Sequence, residues 1–259
     1  MNATSAALIL AGSRPGAPDP VALSEGVPHK ALAEVGEATM LERVARALQA
    51  AGVARIAVSA DQPEVVVLAQ RLGLEIIAPA AGPAQSVANA LAVLGAPLLV
   101  TTADHALLDP AWVRDFLADT PPGSDVAVLL ARREAVEAAA PGSRRTWLRF
   151  ADGQWSGCNL FLLATPNAAA ALVLWRRVEA ERKRPWRLAA RIGVGTLVQY
   201  LLGRLALGEA VARLGRRNGM AAAVVAARDG LAAVDVDRPG DLVQVRSLLA
   251  AREAAERGR

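Results

Sequence analysis

The first half of the chain alternates short aliphatic runs with longer segments in which apolar residues recur every three or four positions. Uninterrupted aliphatic runs are typical of strands buried on both faces, and the recurring pattern is typical of amphipathic helices. The runs that predict strands are 6–10, 54–59, 74–77, 96–102 and 125–130, and the segments that predict helices are 39–51, 64–72, 85–94 and 110–117. This alternation predicts an α/β fold with a mainly parallel, Rossmann-like sheet and right-handed connections.

The second half of the chain mixes both kinds of pattern less regularly. Its predicted elements are strands at 147–150 and 157–163, helical segments from 166 to about 215, strands at 221–225 and 232–236, and a closing helix over 241–256. The sequence contains no internal repeat and no low-complexity linker. We therefore predict one domain over 1–259 with a basic helical insertion at about 166–220.

Composition excludes several kinds of site. Cys158 is the single cysteine, so the chain forms no internal disulfide and no cysteine-ligated metal cluster. With His29 and His105 as its two histidines, a histidine-rich zinc site is not expected. No secretory signal is visible, and the longest weakly polar stretch, 192–203, is shorter than the roughly 20 residues needed to cross a bilayer. We expect a cytoplasmic protein.

The net charge of +4 is distributed unevenly along the chain. Between Ala170 and Met220 there are 11 lysines and arginines against 3 acidic residues, and the remainder is net negative. Basic helices with tryptophans, here within 175–217, are typical of peripheral contact with an anionic membrane, which would be the inner membrane surface. The alternatives are a lid over an acceptor pocket and a homodimer face. Nucleic acid is not expected, because the aromatic residues form no stacking platform.

Candidate chemistry begins directly after the first predicted strand. The turn Leu10-Ala11-Gly12-Ser13-Arg14 consists of small residues followed by an arginine. Such a turn lets backbone N–H groups approach a triphosphate, and the arginine adds positive charge. Lys30 follows a polar loop and can bring a second cation to the same place. The alternatives are an ordinary turn and a solvated surface lysine.

Aspartates follow two further predicted strands. Asp104 lies just beyond 96–102, where a carboxylate can bind Mg²⁺ together with phosphate oxygens, or can instead cap the next turn. Asp235 and Asp237 lie two residues apart at the end of the last predicted strand, and one of them can face a metal ion. Asp241 is interpreted as the N-cap or a first-turn acid of the closing helix.

In this order, the motifs resemble those of the molybdenum-cofactor guanylyltransferase-like nucleotidyltransferases, which are related to the nucleotide-sugar pyrophosphorylases. The segments that carry the resemblance are Leu10-Ala11-Gly12 with Arg14, Lys30-Ala31-Leu32, Thr102-Ala103-Asp104-His105 and the stretch from Asp235 to Leu242. The resemblance spans nearly the whole chain outside the insertion. It implies a nucleotidyltransferase fold of the glycosyltransferase-A-like type.

The resemblance also implies a role for each candidate residue. Arg14 and Lys30 would bind the triphosphate and the acceptor phosphate, and Asp104 would complete the catalytic set. Asp104 with Asp237, or with Asp235, would hold Mg²⁺. The nucleotide would contact the turn from Leu10 through Ala11, Gly12 and Ser13 to Arg14, with Gln85 and Ser86 at the base or ribose. Asn159 would contact the acceptor.

Two departures from the family pattern are visible. The loop Gly12-Ser13-Arg14-Pro15-Gly16 lacks the family's double glycine and Arg-Met-Gly, and it runs long before Lys30. His105 and Ala106 stand where the family has Xaa-Pro after the metal aspartate. We expect His105 to be structural, because an attacking phosphate is already an anion and needs no protein base.

The sequence thus predicts Mg²⁺-dependent transfer of a nucleoside monophosphate from a triphosphate, CTP or GTP, to a phosphorylated acceptor with release of pyrophosphate. The acceptor would be a sugar phosphate, an alcohol phosphate or a lipid headgroup precursor. One alternative is a glycosyltransferase of related fold, in which an Asp-Xaa-Asp motif follows a middle strand. The other is a non-catalytic nucleotide-binding or membrane-docking module, in keeping with the altered glycine loop.

Overall fold

A computed structural model describes residues 6–13, 16, 19–181 and 193–257. Arg14 and the basic stretch 182–192 of the predicted insertion lie outside the described residues. The strands are β1 Ala6–Leu10, β2 Glu34–Val35, β3 Ala38–Thr39, β4 Arg55–Ser59, β5 Glu75–Ile77, β6 Leu98–Thr102, β7 Val126–Arg132, β8 Leu148–Phe150, β9 Gly153–Leu163 and β10 Ala222–Ala226. The helices are α1 Pro20–Glu25, α2 Met40–Ala50, α3 Pro63–Arg71, α4 Pro83–Leu94, α5 Pro110–Asp119, α6 Arg133–Ala139, α7 Ala169–Glu181, α8 Val194–Leu201, α9 Leu207–Arg217 and α10 Pro239–Arg257.

One large sheet organises the described part of the chain. Its strand order is β10-β7-β9-β6-β1-β4-β5, with β8 paired to β9. The strands are parallel except at β9, which runs antiparallel to β6, β7 and β8. From β1 the chain builds outward through β4 and β5 and then returns to the other side of β1 with β6. This reversal creates a topological switch point between β1 and β6.

The central strand β1 shows why an aliphatic run folds here. Ala7 and Ile9 belong to a cluster on one face of the sheet, whereas Ala6 and Leu8 belong to a cluster on the other. All four side chains are fully buried, and burying a side chain such as Leu8 contributes about 2 kcal/mol. Because both faces are covered by helices, no position of the strand tolerates a polar residue, and the predicted mainly parallel α/β sheet is confirmed.

Most predicted elements are confirmed, with bounds shifted by a few residues. The closing helix begins at Pro239, and Asp241 is an acid of its first turn whose Oδ2 accepts from the N–H of Arg238 at 2.9 Å. Sequence patterns did not predict α1, α6 or the two-residue strands β2 and β3. The two helices have only six and seven residues, fewer than two full helical turns, so their apolar residues show no repeating pattern.

The predicted strand over 232–236 is wrong. Residues Gly230–Ala233 form a short 3-10 helix, Val234 after it is extended, and the residues from Val234 to Val236 are not assigned to a strand. The N–H of Val236 donates to the carbonyl of Asp104 at 3.1 Å, a single contact beyond the end of β6. Asp235 and Asp237 have different partners, in keeping with a bend of the chain at Asp237.

The described helices of the predicted insertion pack on different parts of the sheet. Helix α7 packs against α4, and its Trp175 lies beside Phe161 of β9 with ring centroids 5.7 Å apart. Helix α9 packs along β10. The end of α8 presents Leu201 and Leu202 to solvent, at 73% and 61% exposure. Among the described helices, none is both long enough and apolar enough to cross a membrane.

Candidate nucleotide and metal site

The loops after β1 and β6 meet at the switch point of the sheet. The N–H of Ala103 donates to the carbonyl of Leu10 at 3.0 Å, so the residue before Asp104 is fixed to the last residue of β1. The backbone of Ala11 in turn donates to Ser59 at the end of β4, at 2.9 Å. Three parallel strands therefore deliver their following loops to one edge, which is where ligands bind in open α/β sheets.

Lys30 reaches this edge from a short 3-10 helix over Lys30–Leu32. His29 caps that helix, and its Nδ1 accepts from the N–H of Ala31 at 3.1 Å. The Nζ of Lys30 lies 2.6 Å from Oδ2 of Asp104, 3.2 Å from Oδ1 of Asp237 and 3.0 Å from the carbonyl of Val236. Lys30, Asp104 and Asp237, which we call the carboxylate–lysine cluster, are thus brought together from three distant parts of the sequence.

The surroundings of the cluster fix the charge of the lysine and the orientation of Asp104. Burial alone would lower the pKa of Lys30, but the charges of Asp104 and Asp237 outweigh it and raise that pKa. Oδ1 of Asp104 accepts from the hydroxyl of Thr102 at 2.5 Å. The Asp104 side chain is 13% exposed and that of Asp237 67% exposed. One carboxylate is held firmly and the other faces solvent.

A second cluster surrounds Asp235. Its Oδ1 is paired with the Nη1 of Arg145, and its Oδ2 accepts from Nδ2 of Asn159 at 2.5 Å. Burial raises the pKa of Asp235, and the charge of Arg145 opposes that rise. Both oxygens of Asp235 thus have donors within this second cluster, whereas Asp237 shares Lys30 with Asp104. Asn159 lies at the predicted pocket, but its amide is engaged by Asp235.

A cavity of about 540 Å³ opens beside both clusters. Most of its lining side chains are polar or charged, and Trp147 is an aromatic side chain at its wall. Arg144 and Arg238 line it as well, and within the described residues neither guanidinium has an ion-pair partner. A cavity of this size and polarity suits a small, hydrophilic, anionic molecule.

The structure places the predicted base-contacting residues at the start of α4. The hydroxyl of Ser86, which is 4% exposed, accepts from the N–H of Ala80 and donates to the carbonyl of Gly82. Ser86 therefore shapes the loop rather than presenting a free hydroxyl. Gln85 donates to Asn89 at 3.0 Å on the exposed side of the helix. This loop lies against the first one, since Gly12 is close to Pro79.

Two polar residues near the clusters are buried out of reach. His105 is 1% exposed, stacks on Trp112 with ring centroids 6.2 Å apart, and has a pKa lowered to about 4 by burial. Cys158 is also buried, and burial raises the pKa of its thiol. At neutral pH both groups are uncharged members of the core, in agreement with the structural role expected for His105.

Sequence patterns missed Arg145 and Thr102. Thr102 belongs to the motif Thr102-Ala103-Asp104-His105, but only the structure shows that its hydroxyl donates a hydrogen bond to Asp104. Arg145 lies in an irregular segment and pairs with a residue 90 positions away, so spacing alone gives no signal for the contact. A pair of arginines just before the β8–β9 hairpin was the available hint. Arg14, the other predicted cation, lies outside the described residues.

The carboxylate oxygens of Asp104 and Asp237 are suitable ligands for a divalent metal ion. Mg²⁺ prefers oxygen ligands and is usually bound by one or two carboxylates together with substrate phosphates. The two carboxylates already flank a positive charge, the Lys30 ammonium. Over the ranges that the structure describes, no group of three or more His, Cys, Asp or Glu side chains is arranged to hold a metal ion. Phosphate oxygens would therefore complete the coordination.

The fold, with acidic and basic residues at its switch point, is that of a nucleotidyltransferase. Residues 7–234 match the family model described as the MobA-like NTP transferase domain. Because this match spans most of the chain, the protein belongs to the MobA-like NTP transferase family.

Solved structures agree with this assignment. A hypothetical transferase from Thermus thermophilus is 34% identical, with a TM-score of 0.78 over 92% of this chain and 99% of that one. CMP:2-keto-3-deoxy-manno-octonic acid synthetase complexed with CTP is 20% identical, with a TM-score of 0.56 over 96% and 100%. A nucleotidyl transferase from Methanothermobacter thermautotrophicus is 19% identical, with a TM-score of 0.58 over 96% and 99%. The last two share the fold. No curated protein matches the chain significantly.

Proposed function

We propose that this protein transfers a nucleoside monophosphate from a nucleoside triphosphate to a phosphorylated acceptor, in a Mg²⁺-dependent reaction that releases pyrophosphate. The observation that carries the proposal is the carboxylate–lysine cluster at the switch point, where Lys30 Nζ lies 2.6 Å from Asp104 and 3.2 Å from Asp237. Such a cluster combines oxygen ligands for a metal ion with a cation for phosphate, which are the two requirements of phosphoryl transfer.

In the proposed reaction each member of the site has one task. Asp104 and Asp237 would hold Mg²⁺, which supplies positive charge to the triphosphate. Lys30, which remains protonated at neutral pH because its pKa is raised, would bind phosphate oxygens, and Arg14 would do the same from the turn after β1. These residues act by alignment and charge neutralisation. The acceptor phosphate is its own nucleophile, so no protein base is required.

We assign the cavity beside the clusters to the acceptor. Its polar lining and the unpaired Arg144 and Arg238 support a compact anionic acceptor such as a sugar or alcohol phosphate. Asn159 and Trp147 would contact the part of the acceptor that carries no charge. The expected lipid headgroup precursor remains an acceptor to test, and only its polar portion would enter this cavity.

The nucleotide would lie over the loops after β1 and before α4. Gln85 and the turn from Leu10 to Arg14 would contact it, while Ser86 would hold the shape of the loop. CTP is the first triphosphate to test, because the fold-related synthetase was solved as a complex with CTP. GTP is the second, since the resemblance of the sequence motifs is to guanylyltransferases.

We further propose that the chain acts as one domain over 1–259 and that its insertion at about 166–220 contacts an anionic membrane surface. The exposed Leu201 and Leu202 at the end of α8 and the net positive charge of the segment support this idea. Flotation with vesicles containing or lacking anionic lipid tests it. We expect salt-sensitive binding to anionic vesicles, and absence of such binding would reject the membrane contact.

Pyrophosphate release tests the proposed reaction. Each of the four common triphosphates is combined with sugar phosphates, inositol phosphate and alcohol phosphates, with Mg²⁺ or with EDTA. We expect release with one base and one acceptor class, dependent on both the acceptor and Mg²⁺. A protein that binds a nucleotide but releases no pyrophosphate in any combination would instead be a non-catalytic module.

A further inference from the structure

The two acids of the loop after the 3-10 helix over Gly230–Ala233 have entirely different partners. Asp237 is exposed and contacts Lys30, whereas Asp235 is enclosed by Arg145 and Asn159. We call Arg145 and Asn159 the Asp235 clamp. The reaction proposed above gives Asp235 and Arg145 no direct task, since it uses Asp104 and Asp237 as the ligands of the metal ion.

Arg145 holds the main chain of Asp235 as well as its carboxylate. One guanidinium nitrogen pairs with Oδ1, and the other donates to the backbone carbonyl of the same residue at 3.1 Å. The Arg145 side chain is 8% exposed and the Asp235 side chain 16% exposed. The planar fork of arginine can make two such bonds at once, and a lysine ammonium at this position cannot reproduce that geometry. The backbone at residue 235 is thereby fixed.

Asn159 closes the clamp from β9. Its backbone lies in the left-handed region, with φ of 48°, where asparagine is tolerated better than most residues. In this conformation its amide donates to Oδ2 of Asp235 at 2.5 Å. The carboxylate is therefore held at both oxygens and cannot rotate.

Fixing residue 235 determines where residue 237 lies. The intervening residue, Val236, donates its N–H to the carbonyl of Asp104, and its carbonyl accepts from Lys30. On a regular strand, side chains two residues apart leave from the same side of the backbone, but here the chain bends at Asp237. The bend directs Asp237 toward Lys30, while Asp235 stays with Arg145. A shift at Asp235 would therefore displace Asp237 from Asp104.

We propose that Arg145 and Asn159 are positioning residues of the nucleotidyl-transfer site, which hold Asp235 so that Asp237 faces Asp104. This inference rests on the proposed function, in which Asp104 and Asp237 hold the metal ion. It assigns to the clamp a role in metal affinity, in addition to the contact that Asn159 would make with an acceptor in the cavity that both clamp residues line.

The test measures metal affinity directly, in the full-length protein. Binding of Mn²⁺ is followed by the electron paramagnetic resonance signal of the free ion, in the presence of the α,β-methylene analogue of CTP or GTP. For Arg145→Gln we expect Mn²⁺ affinity to fall by about 10-fold to 100-fold, as is usual when residues that orient a metal ligand are removed. The Mg²⁺ concentration for half-maximal pyrophosphate release should rise by a similar factor, with a smaller change in the KM for the nucleotide.

Three further variants separate positioning from general stability. Arg145→Lys should restore only part of the affinity, because it keeps the charge but loses the fork. Asn159→Gly keeps the left-handed backbone and removes only the amide, so it should weaken Mn²⁺ binding without a large change in Tm. Arg228→Gln removes an exposed arginine that pairs with Asp115 and Asp119, and it should leave Mn²⁺ affinity unchanged.

The possible results distinguish the clamp from the proposed function. If folded Arg145→Gln and Asn159→Gly both bind Mn²⁺ as the wild type does, the clamp is structural and the inference is overturned. If the wild type itself binds no Mn²⁺ with either analogue and releases no pyrophosphate, the proposed function fails first. A loss of Tm with unchanged Mn²⁺ affinity in the folded fraction also counts against the positioning role.

Discussion

Two aspartates, Asp104 and Asp125, lie at opposite ends of the sheet and have different roles. Asp104 follows β6 and contacts Lys30, in a cluster that also contains a second carboxylate. Asp125 precedes β7, and it accepts from the hydroxyl of Thr165, the amide of Asn167 and the backbone N–H of Ala221. Hydrogen bonds from neutral donors, that of Thr165 foremost, lower the pKa of Asp125.

Asp104 and Asp125 differ in the groups that contact their carboxylates. Neutral donors from two segments satisfy Asp125, so it joins the start of β7 to the residues before α7 and to the residue before β10. Asp104 shares a lysine with Asp237, and a metal ion or a phosphate can compete for each member of that cluster. At the carboxyl end of the sheet, Asp104 thus has charged partners that a metal ion or a phosphate can replace. At the other end, Asp125 is a fixed connection between segments of the chain. The predictions that follow test this contrast.

The largest effect is expected for Asp104→Asn. The substitution keeps the shape of the side chain but removes the charge, so Mg²⁺-dependent pyrophosphate release should fall by about 1,000-fold. The Tm should change little, because the amide can still accept from Thr102. Turnover that persists at the wild-type level in the folded variant would contradict the metal assignment.

Lys30→Met should lower the same rate by about 100-fold, because it removes a cation from the triphosphate and leaves two carboxylates close together. The comparison variant is Lys30→Arg, which keeps the charge and should recover part of the rate. Steady-state kinetics on both variants checks this prediction. Equal rates for Lys30→Met and Lys30→Arg would show that charge at this position is unimportant.

Acid should destabilise the protein through His105. The folded state keeps this histidine neutral, with a pKa of about 4 against 6.5 for an exposed one, so the unfolded state binds the extra proton between those values. Stability should therefore fall as the pH drops from 6.5 toward 4, by about 3 kcal/mol from this residue. Burial also lowers the pKa of His29, which adds a loss of the same sign.

Urea denaturation at several pH values measures this slope. His105→Asn removes the titrating group, and its free energy of unfolding should depend less steeply on pH over the same range. The absolute stability of that variant matters less than its slope. An unchanged slope would show that the folded and unfolded states bind protons equally at His105 and would contradict a lowered pKa in the folded protein.

Asp125→Ala should lower the Tm by roughly 3 °C, because three donors lose their acceptor. The rate per folded molecule should remain that of the wild type, in contrast to Asp104→Asn. Thermal melting and pyrophosphate release on the same preparation check both halves of this prediction. A large loss of turnover in folded Asp125→Ala would remove the distinction between the two ends of the sheet.

The smallest effect is expected at Cys158. The thiol is 1% exposed and burial raises its pKa, so a thiol reagent such as Ellman's reagent should not react with the native protein. Reaction should become complete in denaturant. Rapid labelling of the native protein would mean that β9 opens readily at Cys158 and that the neighbouring clamp residue, Asn159, is not held in place.

The sequence allowed the mainly parallel sheet to be predicted, because buried strands such as β1 are continuous aliphatic runs. It also indicated Lys30, Asp104 and Asp237, since the two aspartates follow predicted strands and Lys30 follows the polar loop after the first one. The strand predicted at 232–236 failed because a strand needs a neighbouring strand to pair with, whereas the N–H of Val236 donates to the carbonyl of Asp104 beyond the end of β6. Apolar alternation alone does not reveal that.

Contacts between distant irregular segments were beyond sequence patterns. The pairing of Arg145 with Asp235 depends on how a loop before β8 folds over the sheet edge, and no periodicity encodes that path. The hydroxyl of Ser86 is another example, because its sequence position predicted a ligand contact whereas its bonds to Ala80 and Gly82 make it part of the loop. Residue types indicated the chemistry, and the fold determined which residues face one another.

The position of a bound metal ion tests the account most directly. Crystals grown with Mn²⁺ and the α,β-methylene analogue of CTP or GTP, measured near the manganese absorption edge, locate the ion by its anomalous scattering. We predict a peak coordinated by Asp104 and Asp237, with Lys30 bonded to phosphate oxygens and Asp235 still held by Arg145 and Asn159. An ion bound elsewhere, with Lys30 still between the two carboxylates, would contradict the account.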